Sequence, residues 1–181
     1  GYDSPNYVNC VYPFPVEPPY VPDRNPCGLY RRTFTLHPDT LKKKVYLNFE
    51  GVDSCFYLYI NDMFVGYSQV SHMTSEFDVT DYVRAGENQI KVLVLKWCDG
   101  SYLEDQDKFR WSGIFREVYL LLRDPVHIVD FEAHPALSPN YARGGCPTTV
   151  TVNGEALVEY RLLRPNGIQI ASGSLSVDGS G

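Results

Sequence analysis

The chain has 181 residues, 44% of them hydrophobic and 14% aromatic. That is enough apolar material to bury a core, which excludes global disorder. Its formal net charge of −6 argues against nucleic acid as a partner, because phosphate binding needs a basic patch. No apolar run is long enough to span a bilayer as a helix, so no membrane partner is expected, and no signal-peptide pattern opens the chain.

Residues 1–26 hold more than half of the 13 prolines. Proline cannot donate to a sheet ladder and fixes its own φ. This stretch is therefore expected to be an extended arm on the surface of the domain that follows. Tyr2, Tyr7, Tyr12, Phe14 and Tyr20 make it too aromatic for a plain linker, and these rings are expected to pack down or to line a binding site. In 30–36, Tyr30, Arg32, Phe34 and Leu36 alternate with Arg31, Thr33 and Thr35, a period of two that predicts a strand with one buried face. The basic run 42–44 reads as a solvated turn before the next alternating strand, 45–49. Residues 55–60 run into Asn61-Asp62 and out through 63–67, the pattern of a β-hairpin. Strands follow at 75–79 and 89–97. Between them, 81–85 is short and ends at Gly86, which predicts one helical turn. Residues 116–122 close the set. Many short strands with almost no helical periodicity predict a β-sandwich.

Asp124-Pro125 marks a boundary. Beyond it, strands are expected at 126–131, 148–152, 156–163 and 168–171, with Asn166-Gly167 as a hairpin turn. The chain thus divides into the arm (1–26), a first sandwich domain (27–123) and a second, partial one (124–181).

The chemistry concentrates in 99–116, DGSYLEDQDKFRWSGIFR. A core needs none of its polar residues, so they read as groups presented at a sheet edge. Glu104, Asp105 and Asp107 are carboxylates, which accept bonds from hydroxyls and ligate hard cations. Their blander role is a loop acid paired with Lys108, Arg110 or Arg116. Trp97, Tyr102, Phe109, Trp111 and Phe115 frame the loop. Such rings anchor cores and loops, and they can also stack on apolar sugar faces. Arg110 and Arg116 are suited to clamping carboxylates, and a structural role inside the loop is expected for both. His37, His72, His127 and His134 are scattered, and none is assigned to catalysis. Cys10, Cys27, Cys55, Cys98 and Cys146 show no CxxC, no metal-ligand spacing and an odd total. They argue against a disulfide framework or zinc site. Most of them read as small buried hydrophobes in strands or strand ends, which suits a reducing compartment.

This loop resembles the N-terminal sugar-binding domain of the β-galactosidases of glycoside hydrolase family 2. The resemblance extends through 1–13 (GYDSPNYVNCVYP), 25–30 (NPCGLY), 51–65 (GVDSCFYLYINDMFV), 75–78 (SEFD) and 84–88 (RAGEN), and so spans 1–122. It implies an all-β chain: a jelly-roll β-sandwich followed by the start of an immunoglobulin-like β-sandwich. The latter fold needs about 100 residues and seven strands. Only about half is present, so exposed sheet edges are expected near the C-terminus. Because the chain starts inside the match without an initiating Met, it reads as an excised piece of a longer enzyme.

The resemblance also implies site residues. Asp107 would hold a monovalent cation (sodium) and accept the sugar's primary hydroxyl, while Glu104 and Asp105 orient the loop. Asn9 would reach into the catalytic site of a neighbouring barrel domain and bond galactosyl hydroxyls. An amide offers both donor and acceptor to a diol, although an asparagine in a proline-rich arm can also simply form a turn. Retaining glycoside hydrolysis needs two carboxylates about 5 Å apart across the scissile bond. In the family these are glutamates of the barrel. Nothing here matches their motifs, so no catalytic residue is expected in this chain and it should be inactive alone. The implied parent hydrolyses terminal β-galactosides and uses magnesium on ligands outside this chain. It assembles with its remaining domains and with further copies of itself, in the cytoplasm. β-Glucuronidases and β-mannosidases share the fold. YLEDQD and SGIFR favour galactosidases, although here Lys108-Phe109 precedes Arg110-Trp111. The rival is a free-standing carbohydrate-binding or adhesion sandwich, which explains neither a second domain that stops halfway nor the YLEDQD loop.

Overall fold

The computed structural model describes residues 5–7, 12–104 and 106–178. The chain forms two units, Gly1–Leu122 and Arg123–Gly181, and both are built from strands. The first unit contains β1 (Asn6–Tyr7), β2 (Cys27–Leu36), β3 (Lys44–Phe49), β4 (Val52–Asp53), β5 (Cys55–Ile60) and β6 (Met63–Gln69). It continues with β7 (Ser75–Asp78), β8 (Gly86–Leu95), β9 (Phe109–Arg110), β10 (Gly113–Ile114) and β11 (Val118–Arg123). Pro38–Lys42 and Asp99–Tyr102 are short 3-10 turns.

Two sheets carry this unit. One runs β2-β8-β5-β6 and the other β11-β3-β7, with β10 paired to β4 and β1 to β9 beside them. The period-two pattern of β3 and β5 points Val45, Leu47, Phe49, Phe56, Leu58 and Ile60 into one core, joined by Val92 and Val94 of β8. Each such side chain stabilises the fold by about 1.5–3 kcal/mol through burial. Phe49 and Phe56 meet at 4.7 Å between ring centroids, and Phe77 stands edge-on to both.

The β5–β6 hairpin turns on Asn61 and Asp62, at φ 51° and 68°. Two successive left-handed residues match the twist of the flanking strands, and Asn and Asp tolerate that region through local hydrogen bonding. The Asn61 amide also donates to Tyr82 O and Asn88 Oδ1, both at 2.9 Å, and its oxygen accepts from Gln89 N–H at 3.0 Å. The helical turn expected at 81–85 begins earlier: Tyr82 and Val83 N–H both donate to Val79 O, at 3.0 and 3.2 Å. Buried Val79 anchors it. Asn88 then holds Arg84 outside the turn, accepting from its N–H and donating to its carbonyl.

β2 departs from the expectation of one buried face. Leu36 is buried and Phe34 half-buried, but Tyr30 and Arg32 are exposed. The cause is topological. β2 is an edge strand, and Tyr30, Arg32 and Phe34 face a cavity of about 550 Å³ walled opposite by Leu47, Phe49 and Leu120.

The second unit holds β12 (Ile128–Ala133), β13 (Ala136–Leu137), β14 (Gly144–Gly145), β15 (Thr148–Val152), β16 (Ala156–Leu163) and β17 (Gln169–Val177). They pair as three two-stranded ladders, β12-β15, β13-β14 and β16-β17. Gly167, at φ 83°, forms the last hairpin turn and its N–H donates to Arg164 O at 2.8 Å. Among this unit's described residues Val152 is the only buried hydrophobic side chain, and Phe131, Leu157 and Leu175 are each more than 60% exposed. The apolar faces of these ladders have no closed core. Among the described residues no helix is long and apolar enough to cross a membrane.

Candidate functional site

The loop between β8 and β11 is assembled against the proline-rich arm. β1 pairs with β9 in register, Asn6 opposite Arg110 and Tyr7 opposite Phe109. The Tyr7 ring packs on Phe109 at 5.5 Å, and its hydroxyl donates to Asp107 Oδ1. Further along, Tyr12 stacks flat on Tyr102 at 5.6 Å, and Phe14 stands edge-on to Trp97 at 5.0 Å and to Tyr102 at 5.5 Å. Asn25 and the backbone of Trp97 exchange two hydrogen bonds, of 2.8 and 3.0 Å. Tyr7, Tyr12 and Phe14 thus lie against rings of the domain, whereas Tyr20 is 75% exposed. Asn9 and Asp105 lie outside the described residues.

The three carboxylates described around this loop have separate roles. Glu104 is held: Ser71 N–H donates to one oxygen at 2.8 Å and Ser71 Oγ to the other at 2.7 Å. This is the loop-orienting role expected of it. Asp107 is exposed and meets the Tyr7 hydroxyl, so it faces solvent with acceptor capacity remaining on its carboxylate. Asp53, which the sequence did not single out, lies beneath. It is 5% exposed, and burial, followed by repulsion from Glu104, pushes its carboxyl up to about 6.

The basic residues brace the loop. Arg110 is buried, donates to Ser101 O at 2.8 Å and lies over the Tyr12 ring. Arg116 donates to the carbonyls of His72 and Glu50, at 3.3 and 3.5 Å. Lys108 Nζ meets His72 Nδ1 at 3.2 Å. Burial, then the nearby Lys108 charge, holds the His72 imidazole below its ordinary range. Trp111 and Phe115 stack at 5.8 Å, and both Trp111 and Phe109 are substantially exposed, at 41% and 52%. Together with Tyr7 they give the loop an open aromatic border beside Asp107.

The resulting surface offers the exposed Asp107 carboxylate and exposed ring faces on a braced scaffold. That chemistry suits accepting a hydroxyl and stacking on an apolar sugar face. Among the described residues no group of three or more His, Cys, Asp and Glu side chains is placed to hold a metal. The Asp107 carboxylate is an oxygen ligand of the kind hard cations prefer. Ser71 and Asp53 carried no signal in the sequence, and Tyr7 appeared there only as one of the arm's rings.

Comparison with known proteins identifies the family of the chain. Residues 1–125 match the model of the glycosyl hydrolases family 2 sugar binding domain. The chain is 54% identical over 171 residues to a β-galactosidase of Actinobacillus pleuropneumoniae and 49% identical over 173 residues to one of Staphylococcus xylosus. These matches cover 94% and 95% of this chain but only 17% of each relative. Among solved structures it is similar to a glycosyl hydrolase family 2 member from Bacteroides cellulosilyticus, with TM-score 0.69, 24% identity, 84% of this chain and 20% of that one. It is also similar to a β-glucuronidase of Ruminococcus gnavus, with TM-score 0.71, 19% identity, 88% of this chain and 30% of that one. Both structural likenesses concern the fold.

Proposed function

Since the chain belongs to the sugar-binding domain family of the family 2 glycosyl hydrolases, we propose that it is the N-terminal portion of a retaining β-galactosidase. The observation that carries this reading is the arm-to-loop junction. Tyr7 and the loop hold Asp107 exposed beside an aromatic border, while Glu104 is committed to Ser71. The chain spans 17% of the two β-galactosidases compared with it, so the remaining domains of the parent would supply both catalytic glutamates. Here the chain completes the sugar pocket. Asp107 accepts the galactose primary hydroxyl and contributes one oxygen to a sodium ion, and Asn9 bonds the other galactosyl hydroxyls. A hard cation there would fix the carboxylate and the sugar oxygen together. Its other ligands, and those of the parent's magnesium, come from outside this chain. The exposed apolar faces of the second unit support assembly with further domains, and full-length copies associate into a homo-oligomer. The free thiols of Cys55 and Cys98 suit a reducing compartment, the cytoplasm.

The test uses the full-length parent and the 181-residue chain, each assayed with a chromogenic β-galactoside. The parent is expected to turn over and the chain alone not to. In the parent, Asp107→Asn removes a charge-assisted hydrogen bond, of roughly 1.5–3 kcal/mol. It should lower kcat/KM about ten- to hundredfold and blunt activation by sodium, with a smaller loss on a substrate lacking the 6-hydroxyl. A folded variant with wild-type sodium response and unchanged 6-hydroxyl discrimination would remove Asp107 from the site.

A further inference from the structure

Cys55 opens β5, and Cys98 sits immediately before the 3-10 turn Asp99–Tyr102 that leads into the acidic loop. Both are buried, at 1% and 7% exposure, and both are free thiols. The sheet register brings them together. Cys55 pairs with Leu95 on β8, three residues before Cys98. Cys98 Sγ lies 3.8 Å from the carbonyl oxygen of Ser54, the residue preceding Cys55. Each thiol acts directly on the titration of the other. On the outer side Cys98 is covered by Gly100, whose missing Cβ would stand 3.4 Å from Sγ and 3.6 Å from the Gln69 carboxamide. Glycine leaves the thinnest cover a residue can give.

The pair is chemically unequal. Contact with Cys98 raises Cys55, and contact with Cys55 holds Cys98 below the ordinary thiol range. A thiol that gives up its proton readily, beside a second thiol, is the arrangement of an attacking and a resolving cysteine. Cys27 and Cys146 are exposed and provide internal controls.

We propose that Cys55 and Cys98 form a redox modification site, in which a peroxide converts the two thiols into a disulfide. Cys98 releases its proton and attacks one peroxide oxygen; the O–O bond breaks, Cys98 becomes a sulfenic acid, and the hydroxide that leaves takes up that proton to become water. The Cys55 sulfur then attacks the Cys98 sulfur and displaces its hydroxyl, which takes the Cys55 proton and leaves as the second water. Two thiols are oxidised by two electrons and one peroxide is reduced. The new bond ties the start of β5 to the turn that launches the Glu104–Asp107 segment.

The chain is treated with hydrogen peroxide at neutral pH, its remaining thiols are alkylated under denaturing conditions, and it is digested without reductant for mass spectrometry. The expected first product is a cross-linked peptide pair containing Cys55 and Cys98, two hydrogens lighter than the reduced peptides. In Cys55→Ser, dimedone should capture Cys98 as its sulfenic acid. Gly100→Ala should slow the cross-link several-fold, and an unchanged rate would overturn the route past Gly100. Recovery of Cys55 and Cys98 as alkylated thiols while Cys27 and Cys146 oxidise would overturn the proposal in the wild-type chain, whatever the variants do.

Discussion

The Tyr7 hydroxyl donates to a carboxylate oxygen of Asp107, joining residues one hundred positions apart. It lies beside the two-residue ladder between β1 and β9 and the 5.5 Å contact of Tyr7 with Phe109. Arm and loop therefore position each other, and the exposed carboxylate is oriented by a residue from the far end of the unit.

Tyr7→Phe keeps the ring contact and removes only the hydrogen bond. Because the pair is exposed, thermal stability should hardly change, while amide exchange at Phe109 and Arg110 should rise several-fold. Exchange at the wild-type rate would show that ring packing and the backbone ladder hold the arm without the hydroxyl.

Gly113 is the tightest backbone position in the loop. At φ 81°, a Cβ there would lie 2.0 Å from the Tyr30 hydroxyl. Gly113→Ala combines a steric clash with a left-handed alanine and should cost about 1–3 kcal/mol in urea denaturation. Adding Tyr30→Phe should restore only part of that, because the backbone penalty of roughly 1–2 kcal/mol remains. Full recovery in the double variant would assign the whole cost to the clash.

The two units should respond differently to truncation of an apolar side chain. Leu58 is fully buried, and Leu58→Ala should cost about 2–5 kcal/mol. Phe131 is 68% exposed, so Phe131→Ala should leave stability nearly unchanged. Limited proteolysis of the chain should cut first beyond Asp124, where the apolar strand faces lack a core. Equal resistance in both units would contradict an incomplete second sandwich.

What could be read in the sequence was local. Alternation in β3 and β5 and the Asn61-Asp62 pair specify their own strands and turn, because both faces and the left-handed residues are encoded within a few positions. The half-solvated state of β2 was not legible, since Tyr30 and Arg32 alternate as buried residues would and only the sheet order makes them an edge. Glu104 and Asp107 stood out as carboxylates in a motif. Their division of labour depends on Ser71 and Tyr7, which are distant in sequence and chemically ordinary. Asp53 and the Cys55–Cys98 contact were hidden for the same reason: each becomes distinctive only when another strand end folds over it.

Asp53 gives the clearest pH dependence. Its carboxyl moves from an ordinary 3.8 to about 6, chiefly through burial and then through the charge of Glu104. Below about pH 4 the group is neutral in both folded and unfolded chains, and its burial costs little. As pH rises, the unfolded chain releases this proton first while the folded chain holds it until about pH 6, so stability falls across that window. Above it the penalty levels off on the order of 3 kcal/mol. Asp53→Asn is neutral at every pH and similar in size. It should match the wild-type chain near pH 4 and exceed it at pH 7 by up to that amount. Urea denaturation of both chains from pH 4 to 7.5 isolates this effect from the other carboxylates, which the two share. A stability difference that stays constant across the range would mean that Asp53 is not held protonated by its surroundings.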